Sequence, residues 1–231
     1  MKSLRIAFGA GVLLAAFPAL GADSFGHQWM ESYYEHPAPE ALVQAVCSLN
    51  LEGYFQEPSQ QEEAIGFFST VFQQNPKKVD GWLRSARFLP APTRRTLAIA
   101  AWLAGDPAGA GQVRELFRPF NYPVRAEVDR LLAMAPGSVA QTPVASTESM
   151  NLRWGGFLAS GDRQHVVSIL EALGSRRPGL ATSARYALAQ DAVSHPRVLE
   201  ICREELDRQP KAIREELRAM VDNAASQKPS A

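Results

Sequence analysis

A helix-turn-helix pattern that this chain writes twice constrains its fold more than any other feature. Ala101-Trp102-Leu103-Ala104-Gly105-Asp106 leads to Val113-Arg114-Glu115-Leu116, and Gly156-Phe157-Leu158-Ala159-Ser160-Gly161-Asp162 leads to Ile169-Leu170-Glu171-Ala172-Leu173. In each copy an apolar helix runs into a glycine suited to the left-handed residue that closes a helix. The aspartate after it can accept from the free amides that open the next helix. Asp106 and Asp162 are therefore turn-forming residues, not catalytic ones. Two looser copies exist: residues 67–76 lead to Val79 and Trp82, and residues 186–190 lead through His195-Pro196 to Val198 and Ile201. The landmarks Asn75, Gly105, Gly161 and His195 lie 30, 56 and 34 residues apart. Two of these spacings match a helix-hairpin repeat, and the middle one leaves room for an extra helix and a linker.

Elsewhere apolar residues recur at three- and four-residue spacing, the period of a helix with one buried face. Leu42, Val43, Val46 and Leu49 form one such stripe, closed by Gly53. Ser59 with Glu62 reads as a capping box for a helix carrying Ile65, Phe68 and Phe72. Val79, Trp82, Leu83 and Ala86 mark a third helix, ended by Pro90 and Pro92, after which Thr93 is placed to cap a fourth. Val124, Val128 and Leu131 belong to a helix begun at 121–123, and Ile213, Leu217 and Val221 to the last. The expectation is an all-α array of about ten to eleven helices with antiparallel hairpin neighbours. Its parts are N-terminal hairpins in residues 23–135, a small-residue and proline-rich linker at 136–146, C-terminal hairpins at 147–223 and a disordered polar tail at 224–231.

Residues 1–22 have a different character. Lys2 and Arg5 precede an apolar stretch, 6–17, that ends in small residues around Ala19 to Ala22, the pattern of a secretory signal peptide. The stretch is too short to span a bilayer, so the expectation is a periplasmic or secreted protein with no membrane insertion after cleavage. Removing the leader leaves 22 basic and 24 acidic residues. That near-neutral balance carries no basic excess for nucleic acid. Cys47 and Cys202 are the only cysteines, each on an apolar helical stripe, and read either as buried free thiols or as one disulfide closing a long loop.

The hairpin units resemble an α-solenoid of the tetratricopeptide or HEAT class across residues 40–221. Ala98 and Trp102 share the Ala-x-x-x-aromatic spacing of a tetratricopeptide second helix, while the rest of that consensus, its early Trp and Leu-Gly included, is missing. Trp154-Gly155-Gly156-Phe157-Leu158-Ala159-Ser160-Gly161-Asp162 also resembles a family of exported bacterial proteins without assigned activity, which implies a location and no chemistry.

No HExxH, GxSxG, phosphate-cradling glycine loop or dinucleotide fingerprint occurs. His27 and His36 flank Trp29, Tyr33 and Tyr34 without a Cys or Asp at metal-ligand spacing, and His165 and His195 read as turn or surface residues. Glu62-Glu63, Glu204-Glu205 and Glu215-Glu216 read as solvated helix faces, not as carboxylates opposed across a cleft. Trp82, Trp102 and Trp154 read as core, and Trp29, Tyr33 and Tyr34 as a cap on the first hairpin. No catalytic, cofactor-binding or metal-ligating residue is assigned. The expected function is a protein- or peptide-binding scaffold of unknown oligomeric state, with a cell-envelope hydrolase using paired carboxylates, or a secreted effector, as alternatives. A cleft with facing carboxylates would favour the hydrolase, and a shallow apolar groove the scaffold. Gly161→Val is expected to cost more stability than Gly26→Val, because Gly26 lies in the flexible start.

Overall fold

The computed structural model describes residues 24–119, 121–133 and 138–227. The expected leader, 1–22, lies outside them. Among the described residues the chain is all-α, with no strand. Twelve α-helices follow in order: α1 (Phe25–Ser32), α2 (Leu42–Leu51), α3 (Pro58–Gln74), α4 (Val79–Ser85), α5 (Ala91–Leu103), α6 (Pro107–Phe117), α7 (Tyr122–Ala133), α8 (Thr147–Ser160), α9 (Arg163–Glu171), α10 (Pro178–Ser194), α11 (Pro196–Glu205) and α12 (Lys211–Gln227). None is long and apolar enough to cross a membrane. Where a polar tail was expected from 224, α12 continues to Gln227 with Ala224 buried.

The turn chemistry is borne out where glycine was required. Gly53, Gly105 and Gly161 are the glycines with positive φ among the described residues, at 80°, 81° and 65°. Asp162 caps α9, its Oδ1 accepting from the Gln164 N–H at 2.9 Å. Proline overrides the expected caps elsewhere. Pro58 occupies the first position of α3, where a missing N–H costs nothing, so Ser59 falls inside the first turn and the Ser59/Glu62 capping box does not form. In the same way α5 begins at Ala91 with Pro92 in its first turn. Thr93 is then buried within the helix, donating to Asn50 Oδ1 at 2.6 Å.

Sequence neighbours pair as hairpins at α1/α2, α5/α6, α6/α7, α8/α9 and α10/α11. The most extensive interface joins α3 to α8, which four helices separate in the chain, so packing is not restricted to the neighbour-to-neighbour stacking of a solenoid. Two glycines explain that contact. A Cβ on Gly66 would lie 2.0 Å from the Leu152 carbonyl oxygen, and one on Gly155 would lie 1.9 Å from that of Glu63. Backbone meets backbone at this crossing, and large aromatics close around it. Phe67, Phe68, Phe72 and Phe157 are fully buried, and Trp29 packs edge-on to Tyr33 and Phe67 at centroid distances of 5.0 and 5.3 Å. Trp29 and Tyr33 thus belong to the core itself.

The segment before α8 is tied to it. Arg153, buried on α8, donates to the carbonyls of Thr142 (2.8 Å) and Ala140 and to Ser168 Oγ (3.0 Å), so one side chain links the 138–142 turn, α8 and α9. Gly26 corrects an expectation. It is buried where α1 crosses α2, and a Cβ there would meet Leu49 Cγ at 2.6 Å and the Ala45 carbonyl at 2.9 Å. The first helix is packed, not flexible, and Gly26→Val is disruptive. Both cysteines are free thiols: Cys202 is buried, its thiol pushed up to about 12 by desolvation, whereas Cys47 is exposed.

Candidate functional site

The α3–α8 crossing leaves a cleft of about 660 Å³, closed by α1 on one side and α10 on the other. Four segments deliver its polar groups. Helix α1 supplies His27 and Glu31, the turn before α3 supplies Tyr54, α3 supplies Glu63, and α10 supplies Asp191 four residues before His195. Because Gly155 allows α8 to touch the backbone of Glu63, the crossing itself positions that carboxyl.

Glu63 Oε1 accepts from Tyr54 Oη at 3.0 Å, and the Tyr54 ring meets His27 edge-on at 4.9 Å. His27 Nε2 in turn lies 3.5 Å from Glu52 Oε2. The desolvated cleft raises Glu63 to about 7, with the Tyr54 hydrogen bond opposing the rise and the Glu31 charge adding to it. Desolvation likewise raises Asp191 to about 7, reinforced by the charges of Glu63 and Glu31. The three carboxyls therefore feel one another across the cleft. No lysine or arginine lines it among the described residues. Burial lowers His195, which is packed against Tyr34 and Phe157 at 6.0 and 6.2 Å, so its ring is neutral at physiological pH.

The walls are aromatic. Trp154 of α8 is 6 % exposed and borders the cleft, and its buried indole N–H has no hydrogen-bond partner. Tyr186 of α10 stands at the rim, 73 % exposed.

Several sequence expectations change here. Glu62-Glu63 is not a solvated pair: Glu62 accepts from Asn151 Nδ2 of α8 at 3.0 Å, and Glu63 faces the cleft. Glu205 is also buried. Burial pushes it up, but hydrogen bonds from Arg208, Gln209 and Arg163 outweigh that and hold it below the usual carboxylate range as a structural anchor between α9 and α11. Glu215 is exposed beside Lys211, while Glu216 is half-buried against Arg185 of α10. His165 and His195 are both buried, not turn-surface residues. His165 sits beneath Gly156, where a Cβ would touch its ring at 2.4 Å, and burial drops it to about 4. His27 borders the cleft while His36 is exposed beyond α1, and among the described residues no group of three or more His, Cys, Asp or Glu is arranged to hold a metal. Trp82, Trp102 and Trp154 are all buried as expected, with Trp154 in addition forming cleft wall.

Sequence reading missed Glu31, Tyr54 and Asp191 altogether. The signal was present for Asp191: with Leu188, Ala192 and His195 it occupies the inward stripe of its helix, where a charged residue is out of place unless the space it faces has a use.

The fold and cleft define an all-α protein with an acidic cleft bordered by Tyr54, Trp154 and Tyr186. No family model, curated protein or solved structure matches the chain.

Proposed function

We propose that this chain is an exported helical binding protein whose ligand, a peptide or an exposed segment of a protein, enters the cleft between α1, α3, α8 and α10. One observation carries the reading. The carboxyls of Glu31, Glu63 and Asp191 border one open volume large enough for several residues of a ligand, with no lysine or arginine in its described lining to neutralise the acids. Concave, largely preformed sites with a few convergent polar groups are where ligands bind, and interactions left unmet inside the protein are the ones a ligand can satisfy. The leader-like residues 1–22 support export.

The test is capture from envelope extract with the mature protein and two variants. Thr182→Trp places bulk on an exposed position of the cleft lining, and Arg218→Ala alters α12 outside it. The reading expects a ligand held by the unmodified protein and by Arg218→Ala and lost with Thr182→Trp, all three being folded by circular dichroism. Capture indifferent to Thr182→Trp would remove the cleft from the account.

A second reading rests on the paired rise of Glu63 and Asp191 to about 7. Two carboxyls that share a cleft near their midpoints suit a general acid and a general base, the equipment of a hydrolase acting on envelope glycan. Release of soluble fragments from dye-labelled cell-wall glycan, abolished by Glu63→Gln and by Asp191→Asn, would establish it. No release by the unmodified protein would leave the binding reading alone.

A further inference from the structure

We propose that this chain pairs with a second copy of itself about a two-fold axis, Leu51 of each copy, with Glu52 and Glu57 beside it, seating in the groove that Arg87 and Arg94 border on the other. That groove and the cleft share no residue of their described linings, so the pairing does not depend on the cleft's ligand.

The neutral total charge hides a segregation. Residues 24–76 hold seven glutamates and no lysine or arginine, while residues 77–95 hold six basic residues and a single acid, Asp80. Folding does not bring the two sets together. Among the described residues none of the seven glutamates pairs with a lysine or arginine, and Glu52 has only Ser48 Oγ at 3.0 Å and His27 Nε2 at 3.5 Å. All six basic side chains are exposed, and among the described residues only Arg84 has a carboxylate partner, Asp80. Arg95 donates to Gln61 Oε1 at 3.4 Å, and the Arg87 guanidinium lies over the Phe88 ring at 4.4 Å. Opposite charges left uncompensated on one molecule are complementary between two.

The basic side has a shape. Where the turn Ala86–Phe88 meets α5 and α6, a groove of about 540 Å³ is lined by Leu83, Ala86 and Leu97, with Arg87 and Arg94 beside them. The acid of its described lining, Glu115, is held by Arg118 at 3.3 Å. An apolar floor next to two guanidinium forks suits an apolar side chain flanked by carboxylates. Leu51 answers that description. It ends α2 at 86 % exposed, the most exposed large apolar residue among the described ones, and the exposed Glu52 and Glu57 follow it in the turn to α3.

Position selects a second copy over another protein. Thr93 Oγ1 donates to Asn50 Oδ1 at 2.6 Å, which fixes the residue before Leu51 against the residue before Arg94. Acidic knob and basic groove therefore lie side by side on one surface. A two-fold axis through that surface carries each knob to the other copy's groove and closes the assembly at two, the arrangement an isologous interface requires.

Sedimentation velocity of the protein over a range of concentrations tests the pairing, with two charge-reversed variants whose substitutions all fall on exposed positions. We expect the unmodified protein to dimerise, the dimer weakening about tenfold or more between 0.05 and 0.5 M salt. Arg87→Glu with Arg94→Glu and, separately, Glu52→Arg with Glu57→Arg should each be monomeric, with unchanged circular dichroism. Mixed in equal amounts, the two variants should form a heterodimer, because each knob then meets a groove of opposite sign. Cys47, exposed one turn before Leu51 on the same face, gives a second readout, since Cys202 is buried. Its labelling by a thiol reagent should slow as the dimer forms. A protein that stays monomeric at every concentration overturns the proposal, and so does a mixture that fails to pair or a Cys47 that labels at the same rate in the dimer. Monomeric protein drawn down by phosphatidylglycerol vesicles, and released by Arg87→Glu with Arg94→Glu, would assign the basic surface to anionic lipid instead.

Discussion

The two Gly-Asp turns are built alike and sit in unlike surroundings. Gly105 and Gly161 both close a helix with positive φ, and each hands the chain to a second amphipathic helix. The outward face of α5 joins α6 and α7 around a small cluster of Ala98, Trp102, Val113 and Val128, with Phe117 and Leu132 only partly covered. The α8–α9 hairpin lies in the main core, where Phe157, Val166, Ile169 and Leu170 are fully enclosed. Similar residues therefore specify the same turn, while what the turn supports depends on partners far along the chain. Helix α8 meets α3 across a glycine-lined crossing and so becomes a wall of the cleft, whereas α6 meets only its neighbours α5 and α7 to any extent.

The largest expected effect separates the two regions by their close-approach glycines. Gly155→Ala forces a methyl into the Glu63 carbonyl and must part α3 from α8, so a global loss of about 3 kcal/mol or more is expected in denaturant unfolding. Gly109→Ala also meets backbone, 2.4 Å from the Trp102 nitrogen. There the neighbouring hairpin can yield, and hydrogen exchange should accelerate in α6 and α7 while the α3–α8 amides keep their protection. Global unfolding by Gly109→Ala would break the distinction.

Next in size is a pH effect confined to the cleft side. Glu63 and Asp191 have folded-state values raised above their unfolded ones, so each lowers stability as pH climbs from about 4 through 7, and the full penalty is present above that. Glu63→Gln and Asp191→Asn should each raise stability at pH 8 by about 1 to 2 kcal/mol, an amount reduced for their partial exposure. The gain should vanish near pH 4, as melting temperatures across that range will tell. Asp129→Asn, which removes only an exposed pairing with Arg114, should change stability by less than about 0.5 kcal/mol at either pH.

The turn glycines should differ least. Gly105→Ala costs about 1 kcal/mol for the left-handed backbone alone, since nothing lies near the added methyl. Gly161→Ala should cost a few tenths more, because its methyl also meets Tyr34 Cδ2 at 3.1 Å. A reversed order in thermal melts would show that Tyr34 yields freely.

Much of the fold was legible because its causes are local. The all-α class, the left-handed turns and the burial of Trp82, Trp102 and Trp154 all follow from helix period, capping and glycine stereochemistry. Where proline competed with a polar cap, at Pro58 and Pro92, it won and shifted the helix start. The α3–α8 crossing was not legible, since Gly66 and Gly155 lie 89 residues apart and a glycine inside a helix does not announce its partner. With the crossing hidden, so was the cleft: Glu62-Glu63 read as a solvated helix face, Asp191 drew no notice, and Gly26 read as part of a flexible start.

The central claim is that Glu63 and Asp191 share one poorly solvated cleft with no lysine or arginine in its described lining. Carbon-13 NMR titration of the side-chain carboxyls in the protein tests it most directly. The account predicts midpoints near 7 for both Glu63 and Asp191, broadened by their mutual coupling. Midpoints near 4 for both, the value of solvated carboxyls, would contradict it.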